Sequence, residues 1–265
     1  MTFDKILDNN SLWAVRYDGA ADNALQMLFE QWSNPEWLVD FFLANMADLK
    51  SYFKITDINQ AIYDTIDDSQ RIQCLILDIS PDADLDRLFR PLENSRTSEM
   101  LLGKEKARIK DRPRHVSWLR LYAIKLEPGC YIMIPMGSWI SCLSYYKERE
   151  VSMKKETLDF LETHQSGTPS KWREEAEWRR DNWSWLQHAQ MIAAKVLLRM
   201  KQEGLTQKAL AERMDCTQQY VSKILKGREN LSLDTLSKLE NALGINLIYD
   251  DHVTSPSMVA EEMLV

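Results

Sequence analysis

The spacing of apolar residues changes character several times along this chain, and each change predicts an element. Leu12 to Tyr17 is a short aromatic and β-branched run, so a strand is expected there. From Ala21 to Met46 the apolar residues Leu25, Leu28, Phe29 and Trp32, then Leu38, Phe41, Phe42 and Met46, recur at three- and four-residue steps. That is the period of a helix face, and Pro35 divides the stretch where it can open a second helix. More helix is expected around Tyr52–Thr65, capped by Asp57 or Asn59, before a buried apolar run, IQCLILDI, and a turn-rich segment. Alternation from Trp118 to Leu126, a Pro128-Gly129 turn and a second β-rich run predict a hairpin. Residues 1–146 therefore read as an α+β N-terminal domain, helices plus a small antiparallel sheet.

The pattern then turns helical. Lys147–Glu162 is a charged amphipathic helix candidate, and the polar stretch THQSGTPSK, with Gly167 and Pro169, reads as a linker. Trp172, Trp178, Trp183 and Trp185 crowd the next stretch, and five helix-like segments run on to Leu243. The expected organisation is a connecting region over 147–185, an all-α domain over 186–249 and an acidic tail over 250–265.

Within the all-α region, Thr206 is placed to cap a helix with Leu205, Ala209, Leu210 and Met214 inward. Asp215 occupies the turn, where a short polar side chain tolerates a left-handed backbone. Thr217 caps a second short helix with Val221, Ile224 and Leu225 inward, and Gly227 ends it. Ser232 caps a third, ended by Gly244. Two short helices across a tight turn form the geometry that lays the second helix in the DNA major groove.

The segments LTQKALAERM, CTQQYVSKILKG and LSLDTLSKLENALGI resemble the lambda-repressor-like (XRE) family of helix-turn-helix proteins over about Ile192–Ile248. The resemblance implies that Gln207 touches a backbone phosphate and that Gln218, Gln219, Ser222 and Lys223 read bases. Two positions depart from the family pattern: Asp215 stands where glycine is common in the turn, and Leu225 replaces a frequent glutamate. The residue chemistry agrees with the resemblance. Glutamine pairs a donor with an acceptor as the adenine edge does, and Lys223, Lys226 and Arg228 suit phosphates. The candidate DNA-binding set is thus Thr206, Gln207, Thr217, Gln218, Gln219, Ser222, Lys223, Lys226 and Arg228. The alternative is a polar solvated face on an ordinary helical bundle. A lone module makes few base contacts, so a homodimer on a double-stranded operator is expected.

Charge sharpens this picture. The chain has a formal net charge of −7, which argues against a uniformly basic nucleic-acid coat. Arg87–Lys125, however, holds eleven Lys/Arg against four Asp/Glu, and Leu186–Tyr249 nine against six. The basic segment precedes the aromatic-bearing hairpin. Helices first, then a basic loop and twisted strands, resemble the RelE/HigB-like toxins, metal-independent mRNA endonucleases of type II toxin–antitoxin pairs. The resemblance implies Lys104, Lys106 and Arg108 for phosphate clamping and Arg120 or Lys125 for charge stabilisation. His115 or Tyr131 would carry the proton. RNA or the ribosome would then be a partner; the alternative is a solvated basic loop on a non-enzymatic domain. In HigB-like pairs the toxin message precedes an XRE-type antitoxin message, the order found here within one chain. The Trp172–Trp185 segment fits either an antitoxin's toxin-binding anchor or a cap on the chain's own core. Pro135 disrupts the toxin-like sheet pattern, and Met153-Lys154-Lys155-Glu156 looks like a fresh start, so a join of two neighbouring messages is one reading of the junction.

Cys74, Cys130, Cys142 and Cys216 are scattered with no metal-ligand or redox spacing, so reduced thiols, a cytoplasmic setting and no zinc are expected. No cofactor is implied, and the longest uncharged stretch is too short and polar for a membrane helix. Three function classes stand: an XRE-type transcriptional regulator of a toxin–antitoxin locus, a toxin–antitoxin fusion with a latent or impaired nuclease, and an interaction scaffold.

Overall fold

The computed structural model of the chain describes residues 1–53, 55–79, 85–91, 97–100, 119, 121–127, 129–134 and 156–248. The junction over 135–155, the acidic tail and the candidate residues Lys104, Lys106, Arg108, His115 and Arg120 lie outside the described residues.

Two strands, β1 (Thr2–Lys5) and β2 (Leu12–Arg16), open the chain, the first of them unanticipated. Helices α1 (Ala24–Trp32), α2 (Pro35–Ala44) and the short α3 (Met46–Asp48) follow, and a π-helical turn, Leu49–Phe53, leads to α4 (Ile58–Leu77). Helices α1, α2 and α4 each start on a side-chain cap. Asn23 accepts from the Gln26 N–H, Asn34 from those of Glu36 and Trp37, and Asp57 from that of Asn59. Pro35 sits in the first turn of α2, where no intrahelical partner awaits an N–H. The apolar run after Gln70 is the second half of α4, with Ile72 and Ile76 inward at four-residue spacing.

Helix α5 (Leu85–Leu88) and strands β3 (Phe89–Pro91), β4 (Thr97–Met100), β5 (Tyr122–Glu127) and β6 (Cys130–Ile134) complete a six-stranded sheet of order β1-β2-β6-β5-β4-β3. The predicted hairpin is β5–β6, turning at Gly129 with φ +79°. The sheet is mixed rather than antiparallel, because β2 and β6 run parallel with Leu12 opposite Tyr131. Helices and strands β3–β5 lie between them, and β5, antiparallel to β6, brings the chain back to the end of the sheet at which β2 begins. Both strands are buried throughout. Leu12, Ala14, Tyr131 and Met133 face the core under α1 and α4. Trp13, Val15, Ile132 and Ile134 face a second layer with Leu161 of α6 (Glu156–Thr163). Burial on both faces removes the apolar–polar alternation a one-sided strand would show.

The stretch expected to be a loose linker is docked instead. The Phe3 N–H donates to the His164 carbonyl, and the Ser166 N–H donates to the Phe3 carbonyl. Behind this edge contact lies a buried polar network. Arg16 binds Asp4 at 2.7 Å and Asp22 at 3.1 Å, Asn23 donates to Asp4 and Ser170, and the Lys171 N–H donates to Asp22. Charges this deep persist only when paired and hydrogen-bonded, so the network fixes where the next helix starts.

That helix, α7 (Trp172–Glu203), is one continuous rod of 32 residues where several helix-like segments were expected. The expected boundary at 185/186 falls inside it. Its first turns bury Trp172 and Ala176 in the core beneath the sheet. Its last turns, Ala194 to Met200, share a core with Leu38, Phe42 and Ile62 of α2 and α4 and with α8 (Gln207–Arg213), α9 (Gln218–Leu225) and α10 (Leu233–Leu243). Gly204, at φ +64°, ends the rod in the left-handed conformation common at helix C-termini.

Candidate nucleic-acid interface

Helices α8 and α9 form the tight unit the sequence predicts. The Thr206 hydroxyl accepts from the Ala209 N–H at 3.2 Å, and Thr217 caps α9 by accepting from Tyr220 at the same distance. Asp215 takes φ +50° in the turn and Gly227 takes φ +66° after α9. Val221, Ile224 and Leu225 point inward, leaving the opposite side of α9 open. Gln218, Gln219 and Lys223 are exposed on that side, Lys226 is exposed at its end, and Ser222 is half-buried at its margin. Donor–acceptor amides and an ammonium thus project from one short helix that is held rigid from behind. Tyr220, not singled out from the sequence, braces it by a 3.0 Å hydroxyl contact with Thr235 of α10.

The rest of the chain meets this unit closely. A cleft of about 270 Å³ separates it from the corner between α1 and α2, with Gln207, Ser222 and Lys226 on one wall and Glu30, Asn34 and Glu36 on the other. Gln207 is accordingly half-buried rather than fully open. Arg228 is engaged within the protein: its guanidinium lies 2.8 Å from Glu175 and 4.7 Å from the centre of the Trp178 ring. A phosphate contact by Arg228 would compete with that pair. Trp178 in turn packs edge-on to Trp185, 6.1 Å between ring centres. Beneath them Arg179 is 5% exposed and its Nη1 has no hydrogen-bond partner. Burial and the nearby Arg228 disfavour its charge, which Glu175 and Glu30 help to hold.

The departure at Leu225 has a structural cause. It is 4% exposed and lines the cleft while joining the core shared with α7, so a carboxylate there would be buried. Gly227 marks the closest approach. A Cβ added there would stand 2.9 Å from the Gln190 Cα and 3.0 Å from the Pro35 Cγ. The end of α9 is therefore seated directly on α7 and on the first residue of α2.

In the sheet domain, two of the seven candidate catalytic residues are described, and one acid gathers both. Lys125 lies 2.8 Å from Asp86, and the Tyr131 hydroxyl donates to the same carboxylate at 2.6 Å. Tyr131 is buried and stacked on Phe89 at 4.6 Å. Burial raises the pKa of Asp86, but hydrogen bonds from Lys125, Tyr131 and the Gly129 N–H outweigh it and hold the carboxyl below its ordinary value. Asp86 carried no signal in the sequence, because its partners lie about forty residues away. Among the described residues no helix is long and apolar enough to cross a membrane.

A scan against protein-family models matches residues 197–249 to the helix-turn-helix family, which covers α8, α9, α10 and the end of α7. The chain thus carries a helix-turn-helix of the XRE type in its C-terminal part. No curated protein and no solved structure matches the chain. The resemblance of the first 146 residues to RelE/HigB-like toxins gains no support from these comparisons.

Proposed function

We propose that the protein is a sequence-specific DNA-binding transcriptional regulator that reads its operator with α9. The observation that carries this is the capped, rigidly backed helix whose Gln218, Gln219 and Lys223 side chains are exposed together. In the major groove the two glutamines suit adenine edges, while Lys223 and Lys226 suit phosphates. Thr206 and Thr217 act as caps that fix the two helices, and Gln207 and Ser222 stand at the edge of the face. Arg228 is neutralised by Glu175 and would reach a phosphate only by leaving that pair. In a homodimer the second copy of α9 reads the second half-site. The DNA upstream of the protein's own gene is the first operator to test, as autoregulation of a toxin–antitoxin locus requires.

Fluorescence anisotropy with that DNA at several salt concentrations tests the proposal. Gln218→Ala with Gln219→Ala is expected to abolish the preference over unrelated duplex and leave weak, salt-sensitive binding. Lys226→Ala is expected to weaken binding to both duplexes alike and to flatten the salt dependence by about one charge. Equal binding of both duplexes by the unaltered protein contradicts the proposal.

A second reading is a toxin–antitoxin fusion whose sheet domain is a latent ribonuclease. It is favoured by the seating of Trp172 and Ala176 in the core beneath the sheet, where an antitoxin segment would lie. Growth arrest and mRNA cleavage on expression of residues 1–152 without the covering helix, both lost with Lys104→Ala and Arg120→Ala, would support it. No cleavage by that fragment counts against it.

A further inference from the structure

We propose that a second site, between α1, α2 and the α3 turn, binds a small aromatic or alkyl amine and transmits its occupancy along α2 to the helix-turn-helix. The pocket encloses about 460 Å³. That volume lies in the range of small-ligand sites, which are mostly apolar with a few placed polar groups. Four aromatic rings line it, those of Trp32, Trp37, Phe41 and Phe42, and Trp37 and Phe41 stack at 4.9 Å and 16°. Its lining contains one charged residue among the described residues, the carboxylate of Asp48, and no cation. Ring faces carry negative quadrupole potential, so rings together with a carboxylate select a positive ligand. An anionic ligand would face repulsion from Asp48, and no described lining residue carries a positive charge to offset it. Phe41 is 42% exposed, an apolar cost in water that a bound ligand would relieve.

The same helix reaches the other site. Trp37, Phe41 and Phe42 of α2 line the pocket, while Pro35 at its start touches Gly227 at the end of α9. Asp40, between them, binds Lys201 of α7 at 2.6 Å. A shift of α2 on ligand binding therefore changes the seat of α9. The consequence for DNA rests on the regulator reading above; the pocket and its coupling to Gly227 do not.

The test titrates the full-length protein calorimetrically with three ligands sharing one ring: 2-phenylethylamine, the neutral 2-phenylethanol and the anionic 3-phenylpropionate. The amine is expected to bind most tightly. Asp48→Asn is expected to weaken the amine by roughly three- to tenfold and to leave the alcohol unchanged. Phe41→Leu is expected to weaken both. Both positions are exposed, and circular dichroism verifies the fold. Equal or tighter binding of the alcohol or the acid overturns the proposal, as does no binding by any of the three. Coupling is read without DNA, by amide hydrogen exchange at Gly227, whose N–H donates to Ile224. The amine is expected to change that exchange in both the unaltered protein and Asp48→Asn, with the midpoint in the variant at a roughly three- to tenfold higher amine concentration. Unchanged exchange at saturation overturns the coupling, whatever the DNA measurements show.

Discussion

Gly227→Ala isolates the contact that joins the helix-turn-helix to the rest of the molecule. Two costs add at this position. At φ +66° a residue with a Cβ loses about 1–2 kcal/mol relative to glycine. The new methyl would also stand 2.9 Å from the Gln190 Cα and 3.0 Å from the Pro35 Cγ, distances that force backbone to move. Overpacking of this kind costs about 1–3 kcal/mol, so the sum is about 2–5 kcal/mol. Gly244→Ala is the matched control, because Gly244 has φ +62° and nothing within 4 Å of an added Cβ. It should lose only the conformational part, about 1–2 kcal/mol. Urea denaturation of both variants measures the difference, with the m-value checking that the unfolded reference is unchanged. Equal losses would refute the seating of α9 on α7 and Pro35. A loss in Gly227→Ala that vanishes when α9 is probed separately by hydrogen exchange would place the strain elsewhere and refute it too.

Three further outcomes follow from the buried charges and the cleft. Asp22→Ala leaves Arg16 short of a partner and frees the Lys171 N–H, so it should cost about 3–5 kcal/mol in urea denaturation and expose residues 163–171 to proteases. Asp86 has a pKa held below its ordinary value, so the stability it contributes is complete above that value and is lost as pH falls through the depressed one; the acid-unfolding curve of Asp86→Asn should lack that component. Leu225→Glu restores the residue frequent in the family but buries a carboxylate against α7; a loss of about 2–5 kcal/mol is expected, relieved at low pH, and a neutral effect would show that this face of α9 is open.

What the sequence made legible was local. Caps such as Thr206, Thr217 and Ser232, the left-handed positions Asp215 and Gly227, and the inward triad Val221, Ile224 and Leu225 are all decided by neighbours a few residues away. The polar side of α9 followed from them directly. Helices α1 and α2 were legible for the same reason, through their three- and four-residue spacing and Pro35. Contacts across long separations were not. The parallel pairing of Leu12 with Tyr131 depends on how the intervening helices and strands β3–β5 return the chain. The polar composition of residues 163–171 suggested a linker, yet those polar groups are ligands of a network begun by Asp4 and Arg16. Trp172 and Trp178 resemble each other in sequence, but one is buried beneath the sheet and the other flanks Arg228. The departure at Leu225 was visible but gained its meaning only from the helix that covers it.

Selection from a pool of random duplexes with the full-length protein tests most directly whether α9 reads DNA. Enrichment of one motif is expected, with two related half-sites about one helical turn, roughly 34–36 Å, apart. The chain carrying Gln218→Ala and Gln219→Ala should enrich no motif or a different one. Enrichment of the same motif by both chains, or of none by the unaltered protein, would contradict DNA reading by α9.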